Sequence, residues 1–401
     1  AKHELAVRVI RILFPGTGLL VFSAWCLGIL NSHRRFFLSY AAPVVWNAAI
    51  IAAALLTPRG AAPDTVVIWV AWGAVAGGLL QVAIQLPTVW RVNGPLRLSL
   101  GRGDANVSAV RRNFFPAFVG RGVVQISAFV DSILASLLPT GAVAALANAQ
   151  TLYTLPVSLF GMSVAAAELP ELSAVAGTAP DPHGMLRERL ERAMGQVAFF
   201  IIPSAVALAA LGQVIAAAVF QTGLFSRQDA TYVWGILAGS TVGLLASTLG
   251  RLYSSAWYAL HETRIPLKFA VLRVLLTTVL GILAALRLPA LLHLPARWGA
   301  AGLTVSAGVA GWIEFLLLRR SLDRRIGTTR FPPGQALRLW TAALLAAGGS
   351  WGVLLLVEHR FGPIATALLV LLPFGVVYLA ATLALRVPLA YRVIGRPLPG
   401  S

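Results

Sequence analysis

Residues 114–173 decide the fold: FFPAFVGRGVVQISAFVDSILASLLPTGAVAALANAQTLYTLPVSLFGMSVAAAELPELS. Two long apolar segments meet at Pro139–Gly141, and both carry polar side chains along their length. These are Arg121, Gln125, Asp131, Asn148, Gln150 and Glu168. A charge or amide inside a membrane-spanning helix is costly, so it usually faces a water-filled cavity or a partner helix. The stretch therefore predicts a membrane protein with a polar interior.

The composition of the whole chain agrees with this class. Of 401 residues, 58% are hydrophobic and only 11% are charged, whereas soluble domains carry about 25% charged residues. The net charge of +18 is spread over loops between apolar runs rather than gathered in a basic domain, which argues against nucleic-acid binding. A single cysteine, Cys26, excludes a disulfide within one chain.

The sequence predicts an all-α polytopic membrane protein with about eleven transmembrane helices. A spanning helix needs about 20 mostly apolar residues. Eleven segments meet this requirement: 9–30, 38–57, 65–90, 114–138, 142–169, 195–221, 231–256, 267–287, 299–319, 336–357 and 363–385.

The distribution of Lys and Arg predicts the orientation. These residues concentrate in the loops after the odd-numbered segments and in the tail from Arg386, which places those loops and the C-terminus in the cytoplasm. Residue 1 then lies outside, and it is Ala rather than Met. We therefore expect upstream sequence with an odd number of spans. Unaided translocation of the N-terminal tail is the alternative, disfavoured by Lys2 and Arg8.

Polar stripes on two neighbouring segments predict a hydrated cleft. At about 100° per residue, one stripe holds Arg121, Gln125, Ser132 and Ser136, and the next segment carries Gln150, Thr151, Thr154 and Ser158. We expect Arg121, Gln125, Gln150, Thr151 and Thr154 to contact substrate. For the hydroxyl groups, interhelical hydrogen bonding without a ligand is the alternative.

Other charged residues receive separate interpretations. Asp131 lies deep in its segment and predicts a counter-ion or a coupling-cation site, or else a structural partner for Arg121 or for another buried donor. Arg251 lies near the cytoplasmic end of its segment, where substrate contact and snorkelling are both open. Glu314 is close in sequence to Arg319 and is read as a solvated or paired residue at the rim.

No catalytic or cofactor pattern stands out in the sequence. All six histidines lie in or beside loops, and no phosphate-binding P-loop or Asp-rich diphosphate motif occurs. We therefore expect no enzymatic activity, no cofactor and no metal site.

Several motifs resemble a known family. Residues 257–266, WYALHETRIP, with Arg251 upstream, resemble the F-Y-A-L-x-D-T-R-T-P signature of the lipid II flippases, the MurJ/MviN family of the multidrug/oligosaccharidyl-lipid/polysaccharide exporter superfamily. The resemblance runs collinearly from near the start to about residue 270. Further matching stretches are 125–127, 131–136, 155–161, 169–173, 203–206 and 220–225.

The resemblance implies two six-helix lobes around a central cavity and two extra C-terminal helices. The eleven segments equal the family's number minus its first three. The implied layout is 1–90 as the back half of the N-terminal lobe, 91–113 as an inter-lobe linker, 114–319 as the C-terminal six-helix lobe, 336–385 as the extra pair and 386–401 as a cytoplasmic tail.

The sequence departs from the family at two places. The family's first helices carry cavity arginines that have no counterpart here. Where its eighth helix reads A-D-R-L, this chain reads Ala149-Gln150-Thr151-Leu152. The departure implies either a subfamily that anchors the headgroup differently, with Arg121 as a substitute, or a chain that is not a competent flippase.

The resemblance implies a flippase that moves the lipid-linked peptidoglycan precursor, lipid II, from the inner to the outer leaflet of the bacterial cytoplasmic membrane by alternating access. The implied partners are this polyprenyl diphosphate-linked sugar-peptide, membrane lipids and a monovalent ion at Asp131. The alternatives are an exporter of drugs or of another polyprenyl-linked glycan, and a non-transporting scaffold for cell-wall synthesis.

Overall fold

The computed structural model of the chain describes residues 2–33, 35–94, 107–108, 129–165, 168, 172, 181–260, 262–358, 360–393 and 395. The chain divides into two compact units, Ala1–Ser108 and Ala109–Ser401. Every regular element in the described ranges is a helix.

Among the residues described in the N-terminal unit, three long helices are present: α1 (Lys2–Ser32), α2 (Phe36–Leu55) and α3 (Pro63–Asn93). Glycines on α3 allow close packing against α2: a Cβ added at Gly77 would lie 2.8 Å from the Trp46 side chain. The indole Nε1 of Trp46 donates a hydrogen bond to the Ala74 carbonyl oxygen at 3.0 Å.

Helices α1 and α3 are also joined by a buried polar contact. The Ser23 hydroxyl donates to Oε1 of Gln85 at 2.8 Å and accepts from Nε2 of Gln81 at 2.9 Å. Because lipid offers no replacement partner, such bonds favour one register between the two helices.

The C-terminal unit is larger, and helix α4 is described only over residues 129–136. The remaining helices are α5 (Ala142–Pro156, continued by a π-helical turn over Val157–Met162), α6 (Pro182–Phe220), α7 (Arg227–Thr241), α8 (Leu244–Ala259), α9 (Arg264–Ile282, continued by a π-helical turn over Leu283–Arg287 and a last turn over Leu288–Leu291), α10 (Gly299–Ile326), α11 (Pro333–Val357), α12 (Pro363–Ala384) and α13 (Pro388–Val393).

The predicted all-α membrane class is confirmed. Within the described ranges, seven helices are long and apolar enough to cross a membrane, and the bent pair α7–α8 makes up to eight. Predicted segment 38–57 corresponds to α2, whose apolar part is shorter, Ala41–Leu55. Predicted segment 114–138 lies mostly outside the described residues.

Helix α6 connects the two parts of the C-terminal core. Leu186, Leu190 and Ile201 pack in a buried cluster with residues of α5, α7, α8 and α10. Phe199 and Ile202 pack in a second cluster with α11 and α12. The Tyr378 hydroxyl of α12 donates to the Phe199 carbonyl oxygen at 2.6 Å, so the last two long helices are anchored to α6.

The structure differs from the sequence-based expectation at residues 231–256, which we predicted as one continuous helix. The segment is broken into α7 and α8, which are inclined by 45°. At the break, the Trp312 indole of α10 donates to the Val242 carbonyl oxygen at 2.8 Å. Gly243 and Gly308 bring the two backbones together: a Cβ on Gly243 would lie 2.5 Å from the Gly308 Cα. The broken backbone is therefore satisfied by a neighbouring helix, as a membrane interior requires.

We predict that Gly308→Ala destabilises the protein although alanine is the better helix former. The new Cβ would lie 2.8 Å from the Gly243 nitrogen, and such overpacking costs about 1–3 kcal/mol. Gly311→Ala on the same helix is the matched control, because a Cβ there meets nothing within 4 Å and gains about 0.5–1 kcal/mol of helix preference. Thermal unfolding in detergent should give a lower Tm for Gly308→Ala only. Equal Tm values for the two variants would contradict the proposed glycine contact.

Candidate functional site

A small polar cavity lies in the C-terminal unit beside the break between α7 and α8. It offers about 90 Å³ of space to water-sized molecules. This volume accommodates a few waters or an ion and is far too small for a sugar-peptide headgroup. Its polar lining includes Asp131, Gln150, Tyr153, Ser247, Arg273 and Thr304.

Hydrogen bonds fix several hydroxyl groups around this cavity. The Tyr153 and Ser247 hydroxyl oxygens are 2.8 Å apart, which joins α5 to α8. The Thr304 hydroxyl of α10 donates to the Ile236 carbonyl oxygen of α7 at 2.9 Å. The cavity wall is thus formed by helices that are bonded to one another on both sides of the break.

Charged groups from three helices meet in the same region. Nη1 of Arg273 on α9 lies 3.1 Å from Oε2 of Glu314 on α10, and the Glu314 side chain is only 12% exposed. Arg273 also lines the cavity with Asp131 of α4 and attracts its carboxylate electrostatically. Oδ1 of Asp131 is buried without a hydrogen-bond partner in the structure as described.

The sequence predicted Glu314 to be solvated or paired, without naming a partner. In the structure it is paired, and its partner is Arg273 of α9 rather than one of the arginines that follow it on its own helix. Arg319 instead lies 3.6 Å from Asp323, one helical turn further along α10. Arg319 follows Glu314 by five residues, a rotation of about 140° around the helix axis, so the two side chains point in different directions.

The polar stripe predicted on α5 lies on one exposed face. Gln150, Thr151, Thr154 and Ser158 are all exposed. The Thr151 and Thr154 hydroxyls donate to carbonyl oxygens one turn earlier, at 3.0 and 2.7 Å. Gln150 also lines the cavity, so it is shared between the exposed face and the interior. Substrate contact by these residues stays a prediction.

The other predicted site residues lie elsewhere. Arg251 is on the exposed side of α8, as is Tyr258 two turns later, and it is not part of the cavity lining described above. Arg121 and Gln125 fall outside the described residues. The structure therefore brings Asp131 and Gln150 together and leaves Arg251 on a separate surface.

Sequence reasoning missed Arg273. This residue lies inside predicted segment 267–287, in the run FAVLRVLLTT, where it is the sole charge. The same argument that selected Arg121 applies to it, since an ionisable residue in a span is a functional candidate by default. Tyr153 and Ser247 gave no comparable signal, because hydroxyl side chains are common inside membrane helices.

The signature stretch begins in the last turn of α8, which ends at Ala259, and runs into the first turn of α9, which begins at Arg264. Trp257 is 2% exposed, and the Arg325 guanidinium lies over its ring at 5.8 Å. Nη1 of Arg325 also lies 3.5 Å from Oε1 of Glu262. One arginine at the end of α10 therefore contacts both the end of α8 and Glu262, which precedes α9.

A bundle of long apolar helices, with one span broken around a buried polar cavity, defines a multi-pass membrane protein of the transporter type. Residues 1–375 match the family model described as "Lipid II flippase MurJ". The chain belongs to this family. Its members are transporters rather than enzymes, as the sequence predicted.

Curated relatives support the assignment. The chain is 28% identical over 373 residues to the probable lipid II flippase MurJ of Rhizobium tropici, covering 90% of this chain and 66% of the relative. It is 31% identical over 355 residues to the lipid II flippase MurJ of Burkholderia cenocepacia, covering 86% of this chain and 65% of the relative. The chain thus spans slightly less than two thirds of the length of these relatives.

Solved structures show the same fold. The lipid II flippase MurJ in an inward closed conformation superposes with a TM-score of 0.77 at 22% identity, over 97% of this chain and 75% of that chain. An inward-facing multidrug resistance MATE family transporter of the MOP superfamily gives a TM-score of 0.63 at 18% identity, over 80% of this chain and 72% of that chain.

We predict that the Tyr153–Ser247 hydrogen bond contributes about 1 kcal/mol to stability. Tyr153→Phe and Ser247→Ala should each lower the free energy of unfolding, and the double variant should lose less than the two changes combined. Chemical unfolding in detergent micelles measures this cycle. Thr151→Val is the control, because its hydroxyl bonds only within α5 among the contacts described. Strictly additive losses would show that the two hydroxyls act independently.

Proposed function

We propose that this protein translocates the lipid-linked peptidoglycan precursor, lipid II, across the cytoplasmic membrane by alternating access. The observation that carries this proposal is the family match over residues 1–375, nearly the whole chain. The relatives from Rhizobium tropici and Burkholderia cenocepacia bear the same description over most of this chain.

The physical task is to move a polar headgroup past hydrocarbon. Moving amides, hydroxyls and a diphosphate out of water costs free energy unless new hydrogen-bond partners replace the water. The exposed polar face of α5 offers such partners through Gln150, Thr151 and Thr154. We assign headgroup contact to this face rather than to the cavity, because about 90 Å³ cannot hold a disaccharide.

Arginine is the side chain suited to the diphosphate. Its planar guanidinium offers several donors to phosphate oxygens, and the charge is permanent. Arg251 is exposed on α8 and is proposed to attract the diphosphate. Arg121 and Gln125 are proposed as further contacts on the basis of the sequence alone. A negative headgroup moving outward also gains about 2.3 kcal/mol per charge per 100 mV of inside-negative potential.

The same proposal implies a membrane location, an orientation and a division into lobes. We place the protein in the bacterial inner membrane with a cytoplasmic C-terminus, as the Lys and Arg distribution favours. Residues 1–90 are proposed as half of the N-terminal lobe, 91–113 as the linker, 114–319 as the C-terminal lobe, and 336–385 as the extra pair.

We propose that Gln150 and Thr151 replace the family's acid-arginine pair as neutral hydrogen-bonding groups. Neutral groups avoid the cost of burying two charges and still bond to a sugar-peptide. The sequence also suggested a monovalent ion at Asp131, and the charges around that residue favour a different occupant, argued in the next subsection.

We predict that Arg251→Gln lowers lipid II translocation at least about tenfold, since each lost charge-assisted hydrogen bond is worth about 1.5–3 kcal/mol. The measurement is movement of fluorescent lipid II between leaflets of vesicles that contain the protein as its gene encodes it. Arg287→Gln, on another exposed arginine at the far end of α9, should leave translocation unchanged.

Two further measurements separate the alternatives. Competition by a different polyprenyl-linked glycan at equal concentration would point to a broader exporter. Failure to rescue a flippase-depleted bacterium, despite correct membrane insertion, would contradict transport and favour a scaffold. Undiminished translocation by Arg251→Gln would remove this residue from the proposed diphosphate site.

A further inference from the structure

Two carboxylates and one guanidinium converge beside the break between α7 and α8. Arg273 makes a 3.1 Å ion pair with Glu314 and lines the same cavity as Asp131. The three residues belong to three different helices, α9, α10 and α4. A positive charge beside them stabilises both carboxylates in their ionised form, because two ionised carboxylates in a low-dielectric interior repel each other.

We infer that Arg273 is a built-in counter-cation for Asp131, so that this cavity is filled by water and does not bind a metal cation. The inference concerns what occupies the cavity. It is independent of the substrate that the protein transports.

The hydrogen-bonding capacity of arginine supports this assignment. A guanidinium carries five N–H donors in a fixed fork, and the contact to Glu314 is made by Nη1. Donors remain that can serve Asp131, directly or through water. Oδ1 of Asp131 is the buried acceptor that has no partner within the described part of the chain, which is the position that a bridging water would fill.

The composition of the lining also argues against a metal site. Divalent cations such as Ca²⁺ are held by several oxygen ligands, carboxylates among them. Asp131 is the one carboxylate in the cavity lining as described, and Glu314 is already paired. A metal cation entering this small space would also be repelled by the permanent charge of Arg273.

Since Arg273 compensates these carboxylates, replacing it with a neutral residue should allow the cavity to bind a cation. Without the guanidinium, Asp131 and Glu314 become two uncompensated carboxylates next to a hydrated space, which is an environment that attracts Na⁺. The variant Arg273→Gln should therefore be less stable than the wild type, and Na⁺ should restore part of the loss. Arg273→Lys keeps the charge and should remain insensitive to Na⁺.

The experiment measures thermal unfolding of the purified full chain in detergent, without substrate, over a range of NaCl concentrations with N-methylglucamine chloride at equal ionic strength. The wild type should show no difference between the two salts. Arg273→Gln should unfold about 5 °C lower or more and recover in NaCl only. Adding Asp131→Asn should abolish that recovery. Arg287→Gln is the matched control, since this exposed arginine follows on the same helix outside the cavity lining.

Two results would overturn the inference. One is saturable stabilisation of the wild type by Na⁺ that disappears in Asp131→Asn, which would show that the cavity binds the ion in spite of Arg273. The other is an Arg273→Gln variant with unchanged Tm in both salts, which would show that the guanidinium does not compensate these carboxylates. Neither result bears on lipid II translocation, which is measured separately, so the failure of this inference would leave the proposed function unaffected.

Discussion

Hydrocarbon cannot hydrogen-bond to a carbonyl group that leaves a helix, and this constraint explains the centre of the C-terminal unit. The span can break between α7 and α8 because α10 supplies a hydrogen-bond donor to the freed carbonyl group and leaves room for the backbone at the break. The Trp312 indole satisfies the Val242 carbonyl at 2.8 Å, and Gly308 admits the Gly243 backbone. The polar cavity lies beside this break, where the packing of continuous helices is interrupted.

Both ends of the broken span are fixed by tyrosines. The Tyr232 hydroxyl of α7 donates to the Arg297 carbonyl oxygen at 2.7 Å, just before α10 begins. The Tyr253 hydroxyl of α8 lies 2.6 Å from the Thr329 hydroxyl, just after α10 ends. Since α10 is a single helix, it holds the two halves at both ends and leaves the break as the point where their angle is set.

Hydropathy and motif spacing predicted the fold class, because the cost of exposing the backbone to lipid dictates helices of spanning length. The same reasoning could not find the break at Val242–Gly243. The run TVGLLAS reads as ordinary apolar helix, and the donor that stabilises the break is Trp312, seventy residues further along the chain. For the same reason the sequence could not identify Arg273, which comes from another helix, as the partner of Glu314.

The candidate site, like the fold, could be predicted from the sequence only in part. Spacing on a single helix was sufficient to place Gln150, Thr151 and Thr154 on one face, because helical periodicity is a local property. The role of Asp131 depends on which groups approach from α9 and α10, and a sequence does not give those contacts. Arg273 carried a signal, as a lone charge in an apolar run, and the connection to Asp131 required the structure.

Gln150 connects the exposed polar face of α5 with the polar cavity behind it. It lies on the exposed face of α5 and in the cavity lining at once, so a headgroup bound on that face would be one side chain away from Asp131 and Arg273. Under the proposed function, neutral groups on the α5 face hold the sugar-peptide part of the substrate and Arg251 attracts the diphosphate. The charges of Asp131, Glu314 and Arg273 stay behind that face, in an interior that is too small for the substrate. A compensated interior has little tendency to pull the diphosphate inward, since the attraction of Arg273 is already directed at Glu314 and Asp131. The surface can then release the headgroup on the far side of the membrane, because its hydrogen bonds are individually weak and are replaced by water.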